Sequence, residues 1–161
     1  METPKKATWS PEDAIHDFRQ VAALAGVPLA PGAITIERLP APHRPPSRLP
    51  SGKMAVYVFT YAGDTLKVGK AGANSQARYI SQHYNPGSAQ STLAASILGE
   101  RVRYGLTDTK DSDVGGWIKA NVDRVNLLVD ERAGIPVLTL LEVFLQCRLR
   151  PRYEGFKSQR L

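Results

Sequence analysis

Hydrophobic and polar positions along the chain form patterns that predict an α+β fold. Apolar residues recur at helical spacing after a Ser-Pro-Glu-Asp sequence at positions 10–13, which supplies an N-cap, a first-turn proline and two acids. A helix is therefore predicted to about Ala25, and Gly26 is expected to end it. A short strand is indicated over residues 33–37. Five prolines between positions 39 and 52 then exclude a helix or a central strand and predict an extended strap.

The remaining pattern predicts a β-hairpin followed by helices and further strands. Residues 54–61 and 65–70 are rich in β-branched and aromatic side chains and flank an Ala-Gly-Asp turn. The later predicted elements are a helix through Arg78 to about His83, a helix over 92–98 capped by Ser91, a strand over 102–106, a helix through Trp117 capped by Ser112 or Asp113, a strand over 125–129, and an apolar helix from Pro136 that ends before Pro151.

These elements predict a small α+β domain with a central three-stranded sheet, antiparallel or mixed, flanked by helices. Residues 1–53 form an N-terminal helical appendage with the proline-rich strap in this interpretation. Residues 54–161 form the main domain. The chain has 161 residues, which is about the length of one domain.

Charge points to polyanions as partners. Lysine and arginine number 21 against 15 acidic residues, a net charge of +6. Residues 39–53 carry three bases and no acid, and the last fourteen residues carry five bases against Glu154 alone. Both segments are typical of phosphate contacts.

Other features indicate the compartment. The sequence holds no apolar run near the roughly 20 residues of a membrane span and no apolar segment behind its N-terminus. Its single cysteine, Cys147, cannot form an internal disulfide and is expected in the core of the last helix. We therefore expect a cytoplasmic protein without membrane contact.

Two common motifs are excluded by spacing. The segment from Gly63 to Lys70 has five residues between its glycines where a phosphate-binding loop needs four, and Ala71 stands where a Ser or Thr should bind magnesium. The three histidines, His16, His43 and His83, have no cysteine or histidine at metal-ligand spacing, which argues against a structural zinc site.

An ordered set of short motifs begins in the hairpin. Ala55-Val56-Tyr57 is followed after nine residues by Lys67-Val68-Gly69. Arg78 lies in the next helix, Glu142 in the last helix, and Leu149-Arg150-Pro151-Arg152-Tyr153-Glu154-Gly155 follows it. Over residues 54–156 this order resembles the GIY-YIG nuclease superfamily.

The chain departs from the family pattern at three positions. Ala55 replaces the first glycine, and Glu154 stands near where many members have an asparagine. Lys67 replaces the tyrosine of the second motif, as in the restriction-endonuclease branch of the superfamily. The lysine therefore argues for a subfamily, and the family's GIY-YIG-like fold is the expected architecture.

The resemblance implies a metal-dependent DNA endonuclease that hydrolyses backbone phosphodiester bonds, in a restriction, defence or mobile-element context. It assigns Tyr57 as the general base toward water or as its orienter. It assigns Arg78 to the scissile phosphate, a role suited to a planar fork of donors. Glu142 would be the single carboxylate ligand of Mg²⁺ or Mn²⁺, which accept oxygen ligands and keep several waters.

Three further residues complete the expected site. Lys67 belongs to the catalytic set, and Lys70 and His83 are expected beside it as supporting or phosphate-binding residues. A phenol with its ordinary pKa of about 10 is too weakly acidic to be a resting base at pH 7. Tyr57 is therefore expected to need positive charge nearby, from Lys67 or Lys70.

The hairpin turn decides whether this site can form. A three-residue loop would pair Tyr57 with Gly69 and Phe59 with Lys67, and so place Tyr57 and Lys67 on one face. A loop of two or four residues would turn Lys67 to the other face.

Other interpretations remain open. The chain could be a nucleic-acid-binding module of the same fold without cleavage, or a protein-interaction or regulatory domain. Without the motif, Tyr57 would be a core tyrosine, Arg78 a solvated arginine and Glu142 a salt-bridged structural residue. RNA is an alternative to DNA as substrate. Because the short chain has little room for a base-reading domain, the strap or a second subunit in a homodimer is expected to help with any sequence reading.

Overall fold

In the part of the chain that the structure describes, four antiparallel strands form a single sheet in the order β1-β4-β2-β3. The structure is a computed structural model that describes residues 9–89 and 92–153. The strands are β1 (Ile34–Leu39), β2 (Lys53–Tyr61), β3 (Asp64–Ala71) and β4 (Asp123–Asp130). The predicted α+β class is confirmed, but the predicted number of three strands is wrong. Residues 34–39 pair along β4 and add a fourth strand, so the segment expected as an appendage contributes to the sheet.

Among the described residues, five helices and four short 3₁₀ turns surround the sheet. The helices are α1 (Pro11–Leu24), α2 (Gln76–Ile80), α3 (Leu93–Leu98), α4 (Val114–Asn121) and α5 (Ile135–Leu149). The 3₁₀ turns are Gln82–Tyr84, Arg101–Tyr104, Asp111–Asp113 and Glu131–Ala133. Within the two described ranges, no helix is long and apolar enough to cross a membrane.

Local capping explains where several elements begin and end. The Ser10 hydroxyl accepts a hydrogen bond from the Asp13 N–H at 3.1 Å, which confirms the predicted N-cap of α1. Thr92 caps α3 in the same way, while Ser91 lies outside the described residues. The strand predicted over 102–106 is wrong, because that segment forms a 3₁₀ turn closed by Gly105 at a φ of 68°.

The sheet separates two hydrophobic cores. Alternate residues of β2 point to opposite faces, so Tyr57 and Phe59 enter one core and Val56 and Val58 enter the other. Helices α2, α3 and α4 cover the Tyr57 face, and α1 and α5 cover the opposite face. Cys147 is exposed, contrary to expectation, because α5 turns a different side toward the sheet.

The β2–β3 hairpin has a two-residue turn and a bulge. Ala62 and Gly63 both have positive φ, 50° and 82°, as a tight hairpin turn requires. One extra residue in β3 then shifts the register between Phe59 and Thr60. The shift restores the pairs Tyr57 with Gly69 and Phe59 with Lys67. The predicted facing is therefore confirmed, although the predicted loop length is not.

The proline-rich strap packs along the domain with its ends fixed. The backbone N–H and carbonyl of Leu49 bond reciprocally to the Gln76 side chain at 2.8 and 3.2 Å, at the start of α2. The backbone N–H of His43 donates to the carbonyl of Lys119 at 2.8 Å. Arg44 and Arg48 remain exposed between these anchors. The strap therefore presents positive charge beside the helix that carries Arg78.

Candidate active site

Tyr57 lies at the centre of the candidate site. Its side chain is fully buried, and its ring extends across β3 above Gly69. A Cβ built at position 69 would lie 2.5 Å from the phenol oxygen, so only glycine leaves room for this ring. The phenol of Tyr57, a residue of the inner strand β2, therefore lies over the edge strand β3.

Two donors meet at the phenol oxygen. Arg78 Nε donates to Tyr57 Oη at 3.1 Å, and His83 Nε2 lies 2.7 Å from the same oxygen. The His83 ring also packs against the Tyr57 ring at 4.7 Å between centroids. Helix α2 and the 3₁₀ turn that follows it thus bring both predicted residues to Tyr57.

The tautomer of His83 follows from its second contact. The backbone N–H of Leu93 donates to His83 Nδ1 at 3.2 Å, so Nδ1 carries no proton. Burial and the nearby charges of Lys67 and Arg78 also hold the pKa of His83 well below its ordinary value. The ring is therefore neutral, its proton is on Nε2, and it donates to Tyr57 Oη.

The phenol of Tyr57 is protonated at rest. Burial raises its pKa to about 12, and this effect outweighs the opposing charge of Arg78. The oxygen accepts from Arg78 and His83, which leaves the phenol's own O–H to donate elsewhere. The cations with the largest effect on the phenol are Arg78 and Arg124, whereas Lys67 or Lys70 was expected in that role.

Lys67 lies on the same face as Tyr57, as predicted. It is 2% exposed, and its charge is close enough to lower the pKa of His83. Lysines that protect exposed sheet edges are solvated, whereas Lys67 is buried, so edge protection does not explain this residue. Tyr57, Lys67, Arg78 and His83 therefore form one group.

Lys70 and Glu142 lie on the opposite face of the sheet. Lys70 pairs with Val56, and its ammonium forms an ion pair with the Glu142 carboxylate of α5. The Glu142 side chain is 15% exposed and that of Lys70 is 37% exposed, so the carboxylate is the more shielded partner. The charge of Glu142 nevertheless contributes to the raised pKa of Tyr57, after the larger effect of burial. Four of the six predicted residues therefore lie on one face of the sheet at β3, and Lys70 and Glu142 lie on the other.

Glu142 is the carboxylate that the resemblance assigns to a metal, and in the structure it is paired with Lys70. Among residues 9–89 and 92–153, no group of three or more His, Cys, Asp or Glu side chains is arranged to hold a metal ion. A single carboxylate suits Mg²⁺, which keeps several waters and binds through one or two carboxylates plus phosphate oxygens. The donor set therefore fits a hard cation shared with a phosphodiester, provided that Lys70 releases the carboxylate.

A buried arginine was missed by the sequence interpretation. Arg124 is 1% exposed, and its guanidinium lies 5.6 Å from the centre of the Tyr57 ring. It follows Val122 and precedes Asn126 on the face of β4 that points to the site. The predicted strand began at Val125 and left Arg124 outside it. Arg124 and Asn126 alternate with apolar residues, and this alternation was the sequence signal that the strand begins before Val125.

The segment after α5 is described only in part. Arg152 and Tyr153 donate backbone hydrogen bonds to the carbonyls of Thr65 and Leu66, at 3.0 and 2.8 Å. These bonds cover the first part of the β3 edge. The position compared with the family's asparagine, Glu154, lies outside the described residues.

Comparison of the chain with protein-family models, with curated proteins and with solved structures found no match in any of the three.

Proposed function

We propose that the chain is a metal-dependent endonuclease that hydrolyses phosphodiester bonds of DNA. One observation carries the proposal: the Tyr57 phenol is held by Arg78 and His83 at the edge strand whose other face holds Glu142. Phosphodiester hydrolysis needs a positioned water and positive charge at the phosphoryl oxygens, together with a metal site. These residues match that chemistry and the GIY-YIG resemblance.

Each residue has a role that follows from its contacts. The Tyr57 O–H is free to donate once its oxygen has accepted from Arg78 and His83, so Tyr57 orients the attacking water. The remaining guanidinium donors of Arg78 bind the scissile phosphate. Lys67 adds charge on the same side. Glu142 would hold Mg²⁺ or Mn²⁺, which supplies Lewis-acid stabilisation of charge on the phosphate oxygens when bound.

The basic surface supports a nucleic-acid substrate. The net charge is +6, and the exposed Arg44 and Arg48 lie on the strap that is anchored next to α2. Phosphate contacts of this kind give affinity that falls as salt rises. We propose duplex DNA as the substrate, with the strap alongside it and a second copy of the chain as the source of further contacts.

The decisive experiment is a cleavage assay with a matched control. Supercoiled plasmid and genomic DNA are incubated with the purified chain in Mg²⁺, Mn²⁺ or EDTA. We expect metal-dependent nicking or cutting that Glu142→Gln abolishes. Glu131→Gln, a change of the same kind at an exposed glutamate before α5, should cut like the wild type. Undiminished cutting by Glu142→Gln would refute the metal-ligand assignment.

A binding module is the second candidate, and the ion pair favours it. Lys70 already neutralises Glu142, and an electroneutral pair needs no metal. In that case Arg78 and the strap would grip phosphates without breaking them. A salt-sensitive gel shift with no product in any metal would support this candidate over the nuclease.

A further inference from the structure

Arg124 is a buried cation without a direct carboxylate contact among its described hydrogen bonds. Its Nε donates to Asn126 Oδ1 at 2.8 Å, and its Nη1 donates to Tyr84 Oη at 3.2 Å. Its Nη2 donates to the backbone carbonyl of Tyr79 at 2.6 Å. A buried charge is costly unless it is paired and hydrogen-bonded, so a guanidinium held in this way requires an explanation.

The bonds of Arg124 fix the turn that carries the site. Tyr79 directly follows Arg78, and Tyr84 directly follows His83. One guanidinium therefore holds both ends of the segment from which Arg78 and His83 reach Tyr57. Because the planar guanidinium donates hydrogen bonds in two directions at once, it fixes the segment more firmly than a single donor would.

The guanidinium is also surrounded by aromatic rings. It lies 5.0 to 6.0 Å from the centres of four rings, those of Tyr57, Phe59, Tyr79 and Tyr84. Such cation–π contacts stabilise a desolvated arginine without neutralising it. Its charge consequently remains effective at Tyr57, where it opposes the burial that raises the pKa of the phenol.

The negative charge that offsets Arg124 is on Glu37, and Asn126 lies between the two residues. Asn126 accepts from Arg124 and donates to Glu37 Oε2 at 3.0 Å, and Tyr79 Oη donates to the same oxygen at 2.5 Å. Asn126 and Glu37 are cross-strand partners of β4 and β1. The amide thus links the cation near Tyr57 to a carboxylate on the outer strand.

We infer that Arg124 is a positioning residue of the Tyr57 site, which ties β4 to the turn carrying Arg78 and His83 and keeps a positive charge against the Tyr57 ring. Glu37 moderates that charge through Asn126. The catalytic consequence of this arrangement rests on the proposed function. The arrangement itself is a property of the folded chain and can be tested without DNA.

The test measures the ionisation of residue 57 directly. A fluorotyrosine, which ionises at lower pH than tyrosine, replaces Tyr57 in the full chain, and its ¹⁹F resonance is followed against pH. Charged or titratable groups around the phenol come from five elements: Lys67 on β3, Arg78 on α2, His83 on the 3₁₀ turn, Arg124 on β4 and Glu142 on α5. The variants change only the charge of Arg124 or the charge of Glu37.

Two variants should move the ionisation in opposite directions. Arg124→Gln should raise the pKa at position 57 by about 1 or more, from Coulomb's law at an effective dielectric constant of about 20. Glu37→Gln, which keeps its hydrogen-bonding groups, should lower that pKa. The controls are Arg132→Gln and Glu131→Gln at exposed positions, which should change nothing.

The outcomes are distinct. Opposite shifts establish the role of Arg124, because general loosening of the fold would move both variants the same way. No shift in either variant, or shifts of the same sign, would overturn the inference. If Arg124→Gln does not fold by near-ultraviolet circular dichroism, Arg124→Met takes its place with the same expected rise, because it brings no unpaired polar group into the core. Opposite shifts in a chain that never cleaves DNA would refute the proposed nuclease and leave this inference standing.

Discussion

Gly69→Ala should disrupt the candidate site by steric overlap. The new Cβ would lie 2.5 Å from Oη, 2.7 Å from Cζ and 2.8 Å from Cε2 of Tyr57, distances that real Cβ atoms do not show. The fully buried ring would have to move and lose its contacts with Arg78 and His83. Overpacking costs about 1–3 kcal/mol and each of the two lost hydrogen bonds about 1 kcal/mol, so a loss of about 3–5 kcal/mol is expected.

A double-mutant cycle isolates this overlap. Tyr57→Leu removes all three clashing atoms. Gly69 has no positive φ, so alanine is otherwise compatible with the strand and should be favourable there by about 0.5–1 kcal/mol. In the Tyr57→Leu background, Gly69→Ala should therefore cost nothing or stabilise. Urea denaturation of the four proteins, followed by circular dichroism, gives the coupling free energy.

Gly115→Ala provides the matched control. Its Cβ would lie 2.5 Å from a backbone oxygen, that of Tyr84, which Tyr57→Leu does not remove. Its cost should therefore be similar in both backgrounds. If Gly69→Ala costs the same with and without the Tyr57 ring, the ring does not lie over position 69 and the described site geometry is wrong.

Three further predictions concern pH, capping and metal affinity. Burial holds the pKa of His83 and His43 below the ordinary value. Below about pH 6.5 these two histidines therefore bind protons in the unfolded chain but not in the folded chain. The free energy of unfolding should fall there by up to ~1.4 kcal/mol per pH unit for each histidine. Urea midpoints against pH should show a smaller acid loss in His83→Gln, and an equal loss would contradict the assignment. Ser10→Ala should cost about 1 kcal/mol in the same assay, because it removes the cap of α1. Lys70→Met should strengthen Mn²⁺ binding in calorimetry by releasing Glu142, and unchanged affinity would argue against Glu142 as the ligand.

Elements with strong local signals were predictable from the sequence. Ser10 and the following proline determine the start of α1, and Pro136 and Pro151 delimit α5, because capping and proline effects act over a few residues. The segment 101–106 was not predictable. Its alternating pattern resembles a strand, but Gly105 closes a 3₁₀ turn and Tyr104 packs into the core.

The candidate site was likewise predictable from the sequence only in part. The motif order selected Tyr57 and Arg78, His83 was expected beside them, and the structure brings these three into contact. The placement of Lys70 on the other face follows from strand alternation once Tyr57 pairs with Gly69. The placement of Glu142 depends on which side of the apolar helix α5 packs on the sheet, which the sequence pattern does not show. Arg124 was missed because its importance arises from contacts between β4 and a turn 40 residues earlier in the chain.

The division into two cores has a consequence for how this protein tolerates change. Tyr57 and the turn that holds it belong to one core, and the helix that carries Glu142 belongs to the other. Substitutions in the two layers share few neighbours, so their effects on stability should add nearly independently. The apolar residues of α1 and α5 can therefore be repacked while the contacts of the phenol stay constant, as long as Glu142 is kept, and the reverse also holds.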